Sequence, residues 1–236
     1  MTEPASRRYE FMAVHDVVRP APPEPVPLDL LALRPGSWVA DLGAGSGRIA
    51  HRLLLEHPEV KVLAIESDGT QRALLRQSLA SMPAAAGRIT VCPQPLPDLR
   101  APAPLDGAVV LNFLAFLPWA ERPRLWAALR EAMNPGGRVL LSRAFGPSWE
   151  TRPETLAESV CVGLDGYERF FSAEALPDGV VRLTHRYVVT LDGVLVDEWT
   201  ETQDVPSGDE IRVVAQVEEC FSVEEASPGF LLLTAD

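Results

Sequence analysis

Three glycines stand at alternating positions, Gly43, Gly45 and Gly47, in "SWVADLGAGSGRIAHRL", between an apolar run and a stretch of helical spacing. A residue without a Cβ admits positive φ and lets a ligand approach the main chain. The helix that follows offers unpaired N–H groups and a partial positive charge. Such a turn, placed at the carboxyl end of a strand, lies where open α/β sheets bind ligands. Two acids accompany it: Asp41 just before the turn, and Glu66 closing the next apolar run in "VLAIESD". A carboxylate can accept bonds from two neighbouring hydroxyls.

The elements that must position these residues alternate. "WVADLG" is a near-continuous apolar strand of the kind buried in a parallel sheet, preceded by a short helix in "LDLLALRPG" and followed by a helix from Gly47 to His57. "VKVLAIE" is the second strand, Asp68 to Ser81 a helix with Asp68 as N-cap, "RITVC" the third strand and "DGAVVLNFLAFL" the fourth. "WAERPRLWAALREAMNPGG" reads as a helix stopped at Asn134-Pro135-Gly136-Gly137, and "RVLLSRAF" as the fifth strand. This alternation predicts right-handed crossovers and a doubly wound parallel sheet. After Phe145 the rhythm breaks, and Pro147 to Pro177 reads as irregular. "VVRLTHRYVVTLDGVLVDEWTETQDV" then alternates with period two about Asp192-Gly193, a hairpin signal. "SGDEIRVVAQ" reads as a helix with Ser207 and Glu210 spaced as a capping box, and "ECFSVEEASPGFLLLTAD" as a closing hairpin. The predicted organisation is an N-terminal arm with a proline-rich connector over 1–27 and one α/β domain over 28–236, with 147–206 inserted as an antiparallel flap.

"VADLGAGSGRIA" resembles the first motif of class I S-adenosylmethionine-dependent methyltransferases, an apolar strand followed by D-x-G-x-G-x-G. A dinucleotide fingerprint wants glycine where Arg48 stands, and the phosphate-loop G-K-[ST] is absent. "MNPGGRVLLS" is similar to the family's approach to strand five, and the closing hairpin resembles its sixth and seventh strands. The resemblance implies a seven-stranded, mostly parallel sheet in the order 3-2-1-4-5-7-6, with strand 7 antiparallel and the flap between strands 5 and 6. It implies S-adenosylmethionine as cofactor and S-adenosylhomocysteine as product. Asp41 would accept a bond from the methionine amine, and Gly43, Ala44, Gly45 and Gly47 would line the methionine and ribose. Glu66 would hold the ribose, Ser67 or Asp68 would flank the adenine, and Asn112 and Phe113 would run beside the sulfonium. Where many relatives carry an acid for the adenine amine, this chain has Gln94 and Pro95; the Gln94 carbonyl or a folded-back Asp98 is the substitute. Where relatives often carry a histidine near the sulfonium, Ala115 and Phe116 form an apolar wall.

Methyl transfer from a sulfonium is an in-line displacement that needs alignment and exclusion of water more than a dedicated base. The arm and the flap are expected to cover the acceptor, with Phe11, Phe116, Trp149, Tyr167 and Tyr187 lining its pocket. Phe170, Phe171 and Trp199 read as a small core beneath the flap. His15, His185 and Tyr9 are the candidates for proton transfer, and Arg19 for the donor's carboxylate. The expected reaction is methylation of a small molecule, an intermediate of secondary metabolism. The alternatives are an enzyme that cyclises or rearranges the donor itself with release of methylthioadenosine, a non-catalytic donor-binding subunit, and, least favoured by Arg48 and the antiparallel ending, an NAD-linked oxidoreductase.

Composition narrows the partners. The 236 residues are 47% hydrophobic, enough for one well-buried core. A formal charge of -12 without a basic block disfavours nucleic acid. Cys92, Cys161 and Cys220 are too scattered for a zinc site or a disulfide framework, and no metal is expected. The absence of a long apolar stretch predicts no membrane association and a cytoplasmic location. The exposed hairpin leaves room for a homodimer, and heavy use of Ala, Pro, Arg and Leu fits a GC-rich bacterial source.

Overall fold

The structure is a computed structural model, and it describes residues 26–148 and 150–236. The chain divides into two compact units, one formed by described residues 26–146 and 209–236, the other by 147–208.

The first unit opens with a single 3-10 turn, Leu28–Leu31, where the sequence predicts a longer helix; Ala32 in a left-handed conformation ends it. It then alternates β1 (Trp38–Leu42), α1 (Arg48–Glu56), β2 (Lys61–Ile65), α2 (Gly69–Leu79), β3 (Ile89–Cys92), β4 (Leu105–Val110), α3 (Arg122–Ala132) and β5 (Met133–Ser142). The chain passes into the second unit through β6 (Arg152–Val162), β7 (Asp165–Leu176), β8 (Val180–Leu191) and β9 (Val194–Pro206). It returns through α4 (Glu210–Glu218), β10 (Ser222–Ser227) and β11 (Phe230–Thr234).

The large sheet runs β3-β2-β1-β4-β5-β11-β10, and β11 is antiparallel to both of its neighbours. Counting only this sheet, that is the predicted order 3-2-1-4-5-7-6. Val39, Ala40, Asp41 and Leu42 of β1 are all buried because helices cover both faces, which explains the unbroken apolar run. Ala50, Leu53 and Leu54 of α1 and Leu75 of α2 seal one side. Leu125, Trp126 and Leu129 of α3, with Val213 and Val217 of α4, seal the other.

Three boundaries differ from the expectation. The helix predicted from Trp119 and stopped at Asn134-Pro135-Gly136-Gly137 is only α3, and that stop is itself part of a ten-residue β5, where the Gly136 N–H donates to the Ala235 carbonyl at 2.6 Å and the Ala235 N–H to that of Gly137 at 2.9 Å. The N-cap of α4 is Asp209, whose Oδ1 accepts the Arg212 N–H at 3.0 Å; the Ser207 N–H is engaged instead by the Gly179 carbonyl. The fourth strand stops at Val110, because Asn112 turns left-handed at φ +56° and residues 114–116 form a 3-10 turn.

The second unit corrects the largest error. Residues 147–177, expected to be irregular, contain β6 and β7, so the insertion is a four-stranded antiparallel sheet, β6-β7-β8-β9, rather than a single hairpin. Register shifts between Arg152 and Thr155 and between Leu156 and Glu158 break the two-residue alternation of β6 and hide the strand from a periodicity reading. The Asp192-Gly193 turn is as expected, with both residues at positive φ (+50° and +75°) as a two-residue hairpin requires. One face of this sheet is laced by ion pairs, Arg182 with Asp204 at 2.8 Å and Arg186 with Glu154 and Glu198 at 2.8 and 3.0 Å. The other carries a row of rings, Phe171, His185, Tyr187 and Trp199, with successive centroids 5.3, 6.1 and 5.0 Å apart. Phe170 lies outside that row, under the Arg186 guanidinium at 4.0 Å.

Candidate active site

The glycine turn is tied to the end of β2: the N–H groups of Gly43 and Ala44 both donate to the Ile65 carbonyl at 2.9 Å. Gly43 stands at φ +73°, and a Cβ there would lie 2.9 Å from that of Phe113. Gly47, at φ +90°, is the N-cap of α1, and its Cβ would lie 2.6 Å from Leu75 Cγ. Two of the three glycines therefore answer to protein neighbours as well as to backbone conformation. Gly45 is different. A Cβ there would meet only Gln71 Oε1 at 3.7 Å, so its bare Cα faces the room that a ligand needs.

Glu66 is set by this turn. Its Oε2 accepts the Gly45 N–H at 2.9 Å and its Oε1 the Asp68 N–H at 2.8 Å, while its own N–H donates to the Cys92 carbonyl at 3.0 Å. Each carboxylate oxygen keeps a lone pair beyond its backbone donor, the requirement for gripping two vicinal hydroxyls. Arg72 Nη1 donates to the Glu66 carbonyl at 2.9 Å and leaves the carboxylate alone.

Asp41 is 2% exposed, and its Oδ2 accepts the N–H of Ala50 in the first turn of α1 at 3.0 Å. Burial pushes its carboxyl up to about 7; the Ala50 bond pulls the other way, and the negative charge of Glu66 adds to the rise. Among the described residues neither acid forms an ion pair, so two carboxylates converge beside an anion-disfavouring burial without a cation of the protein. That arrangement favours a ligand carrying hydroxyls and positive charge.

Asp68 is the N-cap of α2, its Oδ1 accepting the Gln71 N–H at 2.8 Å, and Ser67 is exposed beside it. The structure overturns the expected role of the Gln94 carbonyl. That oxygen already accepts the Arg100 N–H at 3.2 Å and the Cys92 thiol at 3.6 Å, whereas the amide nitrogen is buried without a partner. The free group is a donor, which suits a ring nitrogen and not an exocyclic amine. Asp98 does not fold back; it pairs with Arg124 at 3.1 Å in solvent, and Pro95 is exposed.

At the end of β4 the Asn112 N–H donates to Ser142 Oγ at 3.1 Å, and its left-handed turn sends Phe113 against the bare Cα of Gly43. A residue that the sequence reading missed holds the next segment. Arg122 is fully buried; its Nε donates to the Leu117 carbonyl at 3.0 Å, its Nη2 to that of Leu114 at 2.8 Å, and its guanidinium lies 3.8 Å from the Trp119 ring. Burial lowers its pKa to about 10, with the Arg212 charge assisting. The available signal was its spacing, since Arg122, Leu125, Trp126 and Leu129 share one buried helix face. Phe116, on the same 3-10 turn, is 46% exposed.

In the second unit Tyr187 is buried within the ring row, and Arg169 Nη1 lies 3.1 Å from His185 Nδ1. Tyr167 stands on the same face, opposite Val189. Tyr9, Phe11, His15, Arg19 and Trp149 lie outside the described residues. Among the described residues no group of three or more His, Cys, Asp or Glu is placed to hold a metal, and no helix is long and apolar enough to cross a membrane.

Residues 39–137, the span that carries this geometry from β1 into β5, match the family described as "Methyltransferase domain". Residues 39–137 form a methyltransferase domain of the class I, S-adenosylmethionine-dependent type. The carboxy-S-adenosyl-L-methionine synthase of Shigella sonnei is 29% identical over 130 residues, covering 48% of this chain and 46% of the relative. The chain thus spans about half the length of the curated relatives it matches. Among solved structures, the sugar N-methyltransferase of a Streptoalloteichus species superposes with a TM-score of 0.70 at 15% identity, covering 100% of this chain and 94% of that one. An amino pentose methyltransferase of Micromonospora echinaspora gives 0.67 at 15% identity, covering 100% and 98%. At these identities the likeness is one of fold, and it extends over both units of the chain. The donor of the methyltransferase domain fits what the residues offer: a sulfonium and an ammonium for the two uncompensated acids, and a ribose for the Glu66 lone pairs.

Proposed function

We propose that this chain methylates a small-molecule acceptor, an intermediate of bacterial secondary metabolism, with S-adenosylhomocysteine as by-product. The observation that carries the reading is the Glu66 carboxylate, held by two main-chain N–H groups beside buried Asp41 over a left-handed glycine turn. The bound donor supplies a methyl carbon made electrophilic by its sulfonium. Glu66 orients the ribose, Asp41 faces the ammonium end, and Gln94, Ser67 and Asp68 flank the base. Gly43 and Gly45 let the methionine chain lie along the backbone, and Gly47 starts the helix behind them. Asn112 and Phe113 shape the floor beside the sulfur, and the apolar turn that Arg122 fastens keeps water from the methyl group. The attacking lone pair forms its bond to the methyl carbon as the sulfur–carbon bond breaks toward sulfur, and the proton of the attacking group leaves to solvent.

We assign acceptor recognition to the ring-bearing face of the four-stranded sheet, through Tyr167, His185 and Tyr187. Tyr9, Phe11, His15 and Trp149 remain part of that assignment from sequence. The neighbours named for sugar and amino pentose methylation support an amino sugar as the acceptor class, with nitrogen as the attacking atom. The test is mass spectrometry of purified protein incubated with S-adenosylmethionine and a panel of amino sugars. The reading expects a gain of one CH2 in an acceptor, matched by S-adenosylhomocysteine.

A second reading is favoured by one observation, the likeness to carboxy-S-adenosyl-L-methionine synthases. In it the chain alters the donor itself. The same experiment separates the two: a changed donor mass without any methylated acceptor supports donor chemistry and overturns methyl transfer.

A further inference from the structure

One side chain just past β3 holds a donor that the protein leaves unmatched. Cys92 ends that strand; it stands in register with Ile65 of β2, and its carbonyl accepts the Glu66 N–H at 3.0 Å. Gln94 therefore lies at the edge of the sheet where Glu66 follows β2. Its Oε1 accepts the Arg100 N–H at 3.2 Å and the Cys92 thiol at 3.6 Å. A main-chain N–H can face only the oxygen end of an amide, so this contact fixes which end is which and turns the NH2 group to the other side. There Nε2 is buried and has no hydrogen-bond partner. A buried donor without an acceptor has lost its bond to water and gained nothing in exchange, and an acceptor brought by a ligand would restore that bond. The rest of the loop narrows what the ligand group is. Pro93, Pro95 and Pro97 carry no N–H, so alternate residues offer a planar base no main-chain donor. Nor do the side chains over 93–100 offer a free acceptor: beyond the engaged Gln94 oxygen the one carboxylate is Asp98, which pairs with Arg124.

Resting on the reading above that S-adenosylmethionine binds beside Glu66, we propose that Gln94 selects its adenine through a ring nitrogen: the Nε2–H donates to a lone pair in the plane of the base, and this loop leaves the exocyclic amine unread. Adenine presents both kinds of group, lone pairs on its ring nitrogens and hydrogens on its amine. A carboxylate in place of Gln94 would answer the amine. A glutamine whose oxygen is already taken answers the lone pair. The Arg100 main chain sets that polarity, because its N–H holds the amide in one orientation and so decides which atom is left for the base. The consequence is a donor site that tolerates change at the amine and does not tolerate it at the ring nitrogen. The Glu66 carboxylate, turned to the ribose, is indifferent to either change.

The test measures binding of S-adenosylhomocysteine and its base analogues to the full chain by calorimetry, a readout independent of methyl transfer. The analogue with hydrogen in place of the exocyclic amine should bind within about threefold of the parent, whereas one of the analogues with CH in place of a ring nitrogen should bind about tenfold more weakly. In Gln94→Met, which keeps the length of the side chain and removes its donor, affinity for the parent should fall about tenfold and the CH analogue should no longer be penalised. Gln94→Glu keeps an oxygen for the Arg100 N–H and exchanges only the donor; it should lose the same affinity, and it serves if the methionine variant does not fold. A tenfold loss on removing the amine, no loss with any CH analogue, or a CH loss that persists in both variants overturns the proposal. Where S-adenosylhomocysteine binds and Glu66→Ala weakens it, such a result counts against the role of Gln94 alone. If the wild-type protein does not bind S-adenosylhomocysteine, the reading of the donor site falls as well.

Discussion

At the carboxyl ends of β1 and β2 the polar groups are satisfied by the main chain: Gly45 and Asp68 N–H on Glu66, Ala50 N–H on Asp41, and the Ile65 carbonyl under Gly43 and Ala44. In the four-stranded sheet they are satisfied by other side chains: Arg182 with Asp204, Arg186 with Glu154 and Glu198, Arg169 with Glu158 and His185. A site made of backbone depends on conformation, so a substitution anywhere in the turn disturbs every group it presents. A face made of side-chain pairs can exchange one pair without moving the strands. The first arrangement suits a ligand of constant shape, and the second a face open to variation.

The largest expected effect lies in the backbone-made site and follows pH. Asp41 is raised from 3.8 to about 7 in the folded state, so between those values the native protein holds a proton that the unfolded chain has released. Stability from this group is therefore full below about pH 4 and falls as pH rises to about 7, by up to roughly 4 kcal/mol. Asp41→Asn should flatten that slope in denaturant titrations, gain stability at pH 8, and weaken donor binding there. Next, Gly47→Ala places a methyl 2.6 Å from Leu75 at φ +90°; unfolding free energy should drop by about 2–4 kcal/mol through backbone strain and overpacking. Glu66→Ala should then weaken donor affinity by about 1–3 kcal/mol in calorimetry, as charge-assisted ribose bonds disappear. The smallest effect belongs to the sheet. Arg182→Gln, which removes an exposed pair with Asp204, should leave the melting temperature indistinguishable from wild type. A large loss there would dissolve the contrast between the two units.

The legible parts of the molecule were those where local pattern and burial agree. β1 and β2 announce themselves as apolar runs because both faces are covered, and Asp192-Gly193 announces its hairpin because only such residues tolerate that turn. β6 was illegible because its bulges shift the pattern out of phase and its charged residues face solvent and partner arginines. Arg122 was passed over because a buried arginine contradicts composition rules until two carbonyls and an indole are seen around it.

By itself the sequence determined the alternation of strands and helices through the fifth strand, the glycine turn, and the placing of Asp41 and Glu66 at strand ends, since each follows from residue types a few positions apart. Only the tertiary structure decided that Gly43 and Gly47 make room for Phe113 and Leu75, that the Gln94 oxygen is already engaged, and that His185 shares a hydrogen with Arg169. Those outcomes depend on which atoms remote segments bring within bonding distance, and local pattern carries no record of that.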